Sequence, residues 1–259
     1  MSGLQVAIQE KRFDTHGAIL RELKFSADAG EFIAVVGPSG AGKSTLLSLI
    51  AGLDQEFAGS VCWDGAPLYA PGQSPARLGM MFQEPRLMPW MTLRNNINLV
   101  LPDADPARVQ ALLADVGLDE WLDAFPGQLS GGMQRRAALA RAFAVGPRLL
   151  LMDEPFVSLD MPTGNRLRGE LITLWRRERP LVLFVTHDLR EALAMADRVL
   201  FLSSAPARVV LDQQIRLKRP RALEGKEVAA LQGQLLAEHP ELLSGLIGGG
   251  VRVAEGGAG

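Results

Sequence analysis

The stretch Gly37-Pro38-Ser39-Gly40-Ala41-Gly42-Lys43-Ser44-Thr45 constrains this chain more than any other. It follows an apolar run, Phe32 to Val36, that reads as a buried strand. It precedes Leu46, Leu47, Leu49 and Ile50 at helical spacing, with Gly52 placed to end the helix. A strand, then Gly, any four residues, Gly, Lys and Ser, then a helix, is the pattern of a phosphate-binding loop. Its glycines let successive backbone N–H groups turn inward on an anion, and a helix starting near Lys43 adds its positive N-terminal end. Lys43 offers a point charge to the β- and γ-phosphates of a nucleotide, and the Ser44 hydroxyl is a hard oxygen ligand suited to Mg²⁺.

The rest of the chain supports an α/β fold around that loop. At 259 residues, 47% hydrophobic and 22% charged, it can bury a sizeable core as one domain with a sub-domain, which excludes disorder and collagen-like repetition. Residues 4–36 alternate apolar and polar with turn residues at Gly17 and Gly30, the pattern of antiparallel strands. Helical periodicity returns from Asp103 to Ala124, ending at Pro126, and again from Met133 to Val145 in a helix rich in Ala and Arg. Two apolar strands follow, Leu149 to Met152 and Leu181 to Val185, separated by a helix near Asn165 to Arg177. Strands alternating with helices predict a mostly parallel sheet, with a helical insertion between the phosphate loop and the later strands. The tail after about Asp212 carries a basic cluster, Arg216, Lys218, Arg219 and Arg221, which reads as a solvated face. A helix-like stretch follows, then a Gly-rich end at Gly248–Gly250 and Gly256–Gly259 whose composition predicts disorder.

A formal charge of -2, from 27 basic and 29 acidic residues, gives no global reason to bind nucleic acid or acidic lipid. The single cysteine, Cys62, forms no internal disulfide and reads as a small buried hydrophobe, so a cytoplasmic site of action is expected. Met1 to Gln5 lacks a basic segment followed by an apolar stretch, and the apolar runs fall far below the roughly 18 residues of a membrane span. Any membrane role is therefore expected to pass through a partner.

Three further places carry chemistry. Asp153-Glu154 ends an apolar strand at the carboxyl edge where α/β sheets place ligands. Asp153 there can orient a Mg²⁺ shell while Glu154, facing differently, positions or deprotonates an attacking water. His187 follows the strand ending at Val185, where a neutral imidazole can hydrogen-bond a γ-phosphate oxygen. Leu129-Ser130-Gly131-Gly132-Met133-Gln134 opens the Arg-rich helix with a good N-cap and exposed N–H groups, a second anion-ready helix start. One nucleotide does not need two such starts from one chain. A head-to-tail homodimer, with the Ser130 loop of one copy closing on the phosphate held by Lys43 of the other, uses both.

Taken together and in order, these motifs resemble the ATP-binding subunit of ATP-binding cassette (ABC) transporters, over about residues 4–212. The resemblance implies a P-loop NTPase (RecA-like) core with an N-terminal antiparallel β subdomain and a helical signature-motif subdomain at about 84–145, with the tail at 213–259. It implies ATP and Mg²⁺ as cofactors. Gly37, Ser39, Gly40, Gly42, Lys43, Ser44 and Thr45 look like the Walker A loop, and Gln83 in Met81-Phe82-Gln83-Glu84 looks like the Q-loop, sensing metal and γ-phosphate. Ser130, Gly131 and Gly132 look like the signature motif, Asp153 and Glu154 like the Walker B aspartate and catalytic glutamate. Asp160 in Ser158-Leu159-Asp160 resembles the D-loop, and His187 the switch histidine. Phe13 falls where the family puts an aromatic that stacks on adenine, with a core Phe as the alternative. The metal set so implied is Ser44, Gln83 and Asp153.

The implied partners are a second copy of the chain, transmembrane permease subunits and, indirectly, a solute-binding protein, with the chain peripheral on the inner face of the cell membrane. Pro85-Arg86-Leu87-Met88-Pro89-Trp90-Met91-Thr92 is similar to the importers of nitrate, sulfonates and taurine, and would dock the permease; Trp90 and Met88 could instead be core residues of the helical insertion. The rival readings are a soluble cassette ATPase acting on nucleic acid or ribosomes, and the ATPase of a different ABC import or export system.

Overall fold

The computed structural model describes residues 3–14, 17–69, 77–101, 103, 105–245 and 252–254, so the Gly-rich end expected at Gly248–Gly250 and Gly256–Gly259 lies outside the described residues. The elements run β1 (Gly3–Phe13), β2 (Gly17–Asp28), β3 (Phe32–Val36), α1 (Lys43–Ile50), β4 (Ala58–Trp63), β5 (Ala66–Pro67) and β6 (Leu78–Met81). Then come α2 (Leu93–Asn98), α3 (Pro106–Asp115), α4 (Gly131–Ala144), β7 (Leu149–Asp153), α5 (Met161–Glu178) and β8 (Leu181–Thr186). The chain closes with α6 (Leu189–Met195), β9 (Arg198–Leu202), β10 (Val209–Gln214), α7 (Lys226–Glu238) and β11 (Arg252–Ala254). They form two compact units, residues 1–75 with 181–259, and residues 76–180.

In the first unit the predicted antiparallel strands form a four-stranded sheet of order β2-β1-β4-β5. Leu4, Val6 and Ile8 alternate inward on β1, as a half-buried strand requires. Lys11 lies on the same strand, 2% exposed; its ammonium is paired with Asp54 at 2.8 Å and donates to the Glu56 carbonyl at 2.8 Å. A second sheet has the order β11-β10-β9-β3-β8, with β3 parallel to both β8 and β9. Every residue of β3 and β8 is buried, which is why both read as unbroken apolar runs. After α1, Leu53 N–H reaches Ser48 C=O and Gly52 N–H reaches Leu49 C=O, closing the helix at the glycine where the sequence places its end.

The second unit pairs β6 with β7 in parallel and surrounds them with helices. The helical stretch expected from Asp103 to Ala124 resolves into α3, capped by the Asp105 carboxylate on Arg108 N–H at 3.0 Å, and a 3₁₀ turn over Asp119–Trp121. Gly117, at φ +61°, turns the chain between them. α2 was not expected from the pattern.

Two expectations need correction. Cys62 is half-buried on β4 rather than buried, because it alternates with the buried Val61 and Trp63 and so falls on the opposite face of the sheet. The basic cluster is not a solvated face. Arg216 and Lys218 are exposed, but Arg219 is ion-paired with Asp197 and lies over the Phe32 ring at 5.4 Å. Arg221 donates to the carbonyls of Leu193 at 2.9 Å and Ala196 at 2.5 Å. Burial, reinforced by the neighbouring Arg219 charge, lowers its pKa. Both guanidiniums occupy the C-terminal end of α6, where orphaned carbonyls favour cations.

Candidate functional site

Register decides where the candidate residues fall. Val36 of β3 pairs with Thr186 of β8, so Gly37 and His187 each stand one residue beyond a paired position, side by side at the carboxyl edge. In the other unit Met81 of β6 pairs with Met152 of β7, which puts Gln83 and Glu154 each two residues beyond the pair, with Asp153 just before Glu154. Parallel strands place all four of these motifs at carboxyl ends, the edge where open α/β sheets bind ligands.

The phosphate loop is held from inside and from below. Lys43 Nζ folds back to donate to the carbonyls of Gly37 at 2.8 Å and Pro38 at 3.0 Å, leaving the residue 7% exposed. Gly42 N-caps α1 at φ +81°; a Cβ there would meet Ile19 Cγ2 at 2.7 Å and Leu20 Cδ2 at 2.8 Å, so the loop needs glycine for conformation and for its approach to β2. Ser39, Gly40 and Ser44 are exposed and Thr45 is half-buried. This is a shallow, open cradle with a lysine already bent over it.

Glu154 sits immediately after β7 at φ +44°, in the left-handed region that non-glycine residues seldom occupy. Ser158 repeats this at φ +59°, and the Val157 N–H closes the intervening turn on the Glu154 carbonyl at 3.2 Å. Such local strain persists where surroundings over-determine it; here Arg135 of α4 donates to the Pro155 carbonyl at 3.2 Å. His187 is exposed between Thr186, whose hydroxyl bonds Glu191 at 3.0 Å, and Asp188, whose carboxylate accepts from Arg190 N–H at 2.8 Å.

Ser130 caps α4, accepting from Met133 N–H at 3.3 Å, and it and Gly131 are exposed. α4 therefore starts two residues before the expected Met133. Gln134 pins the approach by donating to the carbonyls of Pro126 at 3.0 Å and Leu129 at 3.2 Å. A Cβ on Gly132 would lie 2.5 Å from Thr163 Cγ2, so α4, which Ser130 caps, and α5, which Asp160 caps, begin against each other. Asp160 in turn caps α5, and hydrogen bonds from the Thr163 side chain and N–H hold its carboxyl below the usual carboxylate range.

Phe13 closes the exposed end of β1, 40% exposed with Lys11 Nζ 4.6 Å over its ring, and so is not a core residue. Trp90 is 70% exposed and Met88 half-buried, so Trp90 is not core either. Two residues that sequence reasoning missed shape that segment. Asn96, fully buried, accepts from Met88 N–H at 2.7 Å and donates to the carbonyls of Met88, Met91 and Thr92, each at 3.1 Å. Arg141 donates to Arg86 and Pro85 carbonyls at 2.8 and 2.9 Å. Neither carries a sequence signal of its own: Asn96 stands in a helix of six residues, and Arg141 reads as one more arginine of an Ala- and Arg-rich helix.

Fold and cradle define a P-loop NTPase. The family model "ABC transporter" matches residues 20–157. The aliphatic sulfonates import ATP-binding protein SsuB 2 of Burkholderia cenocepacia is 44% identical over 221 residues, 84% of this chain and 80% of the relative. SsuB of Bacillus subtilis is 38% identical over 239 residues, 90% of this chain and 92% of the relative. A dimeric structure of the ATP-binding cassette MJ0796 in a post-hydrolysis state, bound to ADP and Pi, superposes with TM-score 0.71 at 27% identity over 83% of this chain and all of that one. The chain belongs to the ABC transporter family, as an ATP-binding and ATP-hydrolysing subunit whose cofactors are ATP and Mg²⁺. Among the described residues, no helix is long and apolar enough to cross a membrane.

Proposed function

We propose that this chain drives import of a small anionic or zwitterionic solute of the sulfonate, taurine or nitrate kind through a membrane permease. It works as a homodimer, peripheral on the inner face of the membrane and fed by a solute-binding protein. The observation that carries the ATPase half is the strand register, which sets Gly37 beside His187 and Gln83 beside Glu154 at carboxyl edges. The solute class is supported by relatives that share at least four-fifths of their length with this chain and are named for aliphatic sulfonate import.

Each residue then has a task. The loop from Gly37 to Thr45 presents backbone N–H groups to the phosphates, and Lys43 exchanges its carbonyl partners for phosphate oxygens. Phe13 offers its exposed ring to adenine. Ser44, Gln83 and Asp153 are all oxygen donors, with Ser44 and Gln83 exposed and Asp153 half-buried, a set that suits a hard cation and would hold Mg²⁺. Bound there, the ion offsets charge on the phosphates. Glu154 accepts a proton from the attacking water and His187 donates to a γ-phosphate oxygen. The exposed Ser130 and Gly131 of one copy, with the half-buried Gly132 and with Asp160, close on the nucleotide of the other. Trp90 and Met88 present apolar area to the permease, with Arg86 at the rim, on a loop that Asn96 and Arg141 keep in shape. Uptake of taurine, alkanesulfonates and nitrate in a strain lacking this subunit, with and without the gene restored, tests the reading. Restored uptake of at least one supports it, and restoration of none removes the solute class.

A further inference from the structure

The tail after β10 does more than extend the chain. α6 has seven residues, too few to be stable without tertiary support, and it leaves carbonyls orphaned at its C-terminal end. Those carbonyls are taken by the tail. Arg221 donates to Leu193 and Ala196 from one nitrogen, and its other nitrogens return to the Leu217 carbonyl at 2.9 and 2.6 Å. Arg219 bonds the Met195 carbonyl and Asp197 just beyond it. Nearer the other end, Arg190 donates to Gln232 of α7 at 2.9 Å. The first turn of α6 is capped by Asp188, the residue immediately after His187. A shift of α6 must therefore shift the His187 turn.

We propose that Arg219 and Arg221 are positioning residues for ATP hydrolysis: they lock α6 from its C-terminal end and thereby fix where His187 stands. This rests on the role given to His187 above. Neither arginine touches the nucleotide, so their removal acts on turnover rather than on binding.

The test compares Arg221→Met, His187→Ala and the double variant in the full-length protein, with ATPase rates and ATP binding measured where circular dichroism shows each fully folded. Arg221→Met should lower kcat about tenfold, the scale of a small misplacement of a reacting group, with ATP affinity kept within about twofold. Added to His187→Ala it should cost nothing more, since the lock acts only through that histidine. Leu112→Ala in α3 serves as a control for general destabilisation and should leave kcat within about twofold. Arg221→Lys and Arg219→Lys, which keep charge but not the forked donor set, should each recover only part of the rate and carry the comparison if the Met variant does not fold. Wild-type kcat in Arg221→Met beside an inactive His187→Ala, or an equal further loss in the double variant, overturns the proposal. Wild-type hydrolysis by His187→Ala removes the histidine's role and the proposal with it, a result distinguishable from the first.

Discussion

Two glycine-rich loops open helices in this protein, and they are built for different work. The loop at Gly37–Ser44 ends a fully buried strand, packs Gly42 against Ile19 and Leu20, and carries a cation, Lys43, already folded over its own carbonyls. The loop at Ser130–Gly132 has a serine cap, lies exposed at Ser130 and Gly131, and leaves open space around the Cβ position of Gly131. The first carries its own cation and a glycine that the packing requires. The second is rigid, held by Gln134 and by the contact of Gly132 with Thr163, yet contains no cation of its own within the motif. A rigid, exposed, neutral set of N–H donors is fit to close over an anion that something else holds.

Four substitutions sharpen or break that contrast. Glu154→Gln removes the proposed base and should lower kcat by roughly 10²- to 10⁴-fold, the usual contribution of general base catalysis, with ATP still bound. Near-normal turnover in a phosphate-release assay would take Glu154 out of the reaction. Ser130→Arg should reduce turnover by about 10²-fold or more, as loss of a preorganised donor does, while the isolated subunit binds ATP as before. If calorimetry showed ATP affinity falling with it, the second loop would belong to the same chain's pocket and the contrast would collapse. Lys43→Ala should do the reverse, weakening equilibrium ATP binding by roughly 10- to 100-fold through loss of a charged hydrogen-bonding partner worth about 1.5–3 kcal/mol. Unchanged affinity would contradict the role of the first loop. Trp90→Ala touches neither loop and should leave ATPase activity of the free subunit within about twofold, while solute uptake and permease co-purification fall. Unchanged uptake would remove the docking role.

Local pattern announced the elements whose environment is uniform. β3, β7 up to Met152 and β8 up to Val185 are unbroken apolar runs because both faces are covered, and the phosphate loop is spelled out by residues adjacent in sequence. What stayed hidden depends on partners far along the chain. Arg219 and Arg221 look like surface charge until the carbonyls of α6, some 25 residues earlier, are brought to them. Asn96 sits in a six-residue helix with too few positions to show a period, and its four bonds all go to a loop. Gly117 split a periodic stretch into a helix and a 3₁₀ turn because a single left-handed residue outweighs apolar spacing on either side. The candidate site residues were legible as motifs. Their strand-edge neighbours were not, because register between β3 and β8 is set by pairing 150 positions apart rather than by either sequence alone.

On the proposed function, the two loops meet between copies. Ser39 and Ser130 are both exposed, so a cysteine at either is open to a short bismaleimide. In a Cys62→Ala, Glu154→Gln background, which bears no other thiol and keeps ATP intact, subunits carrying Ser39→Cys are mixed with differently tagged subunits carrying Ser130→Cys. A cross-link between the two tags should appear with ATP and be absent without nucleotide. No cross-link between tags with ATP present, or one of equal yield without nucleotide, would contradict it.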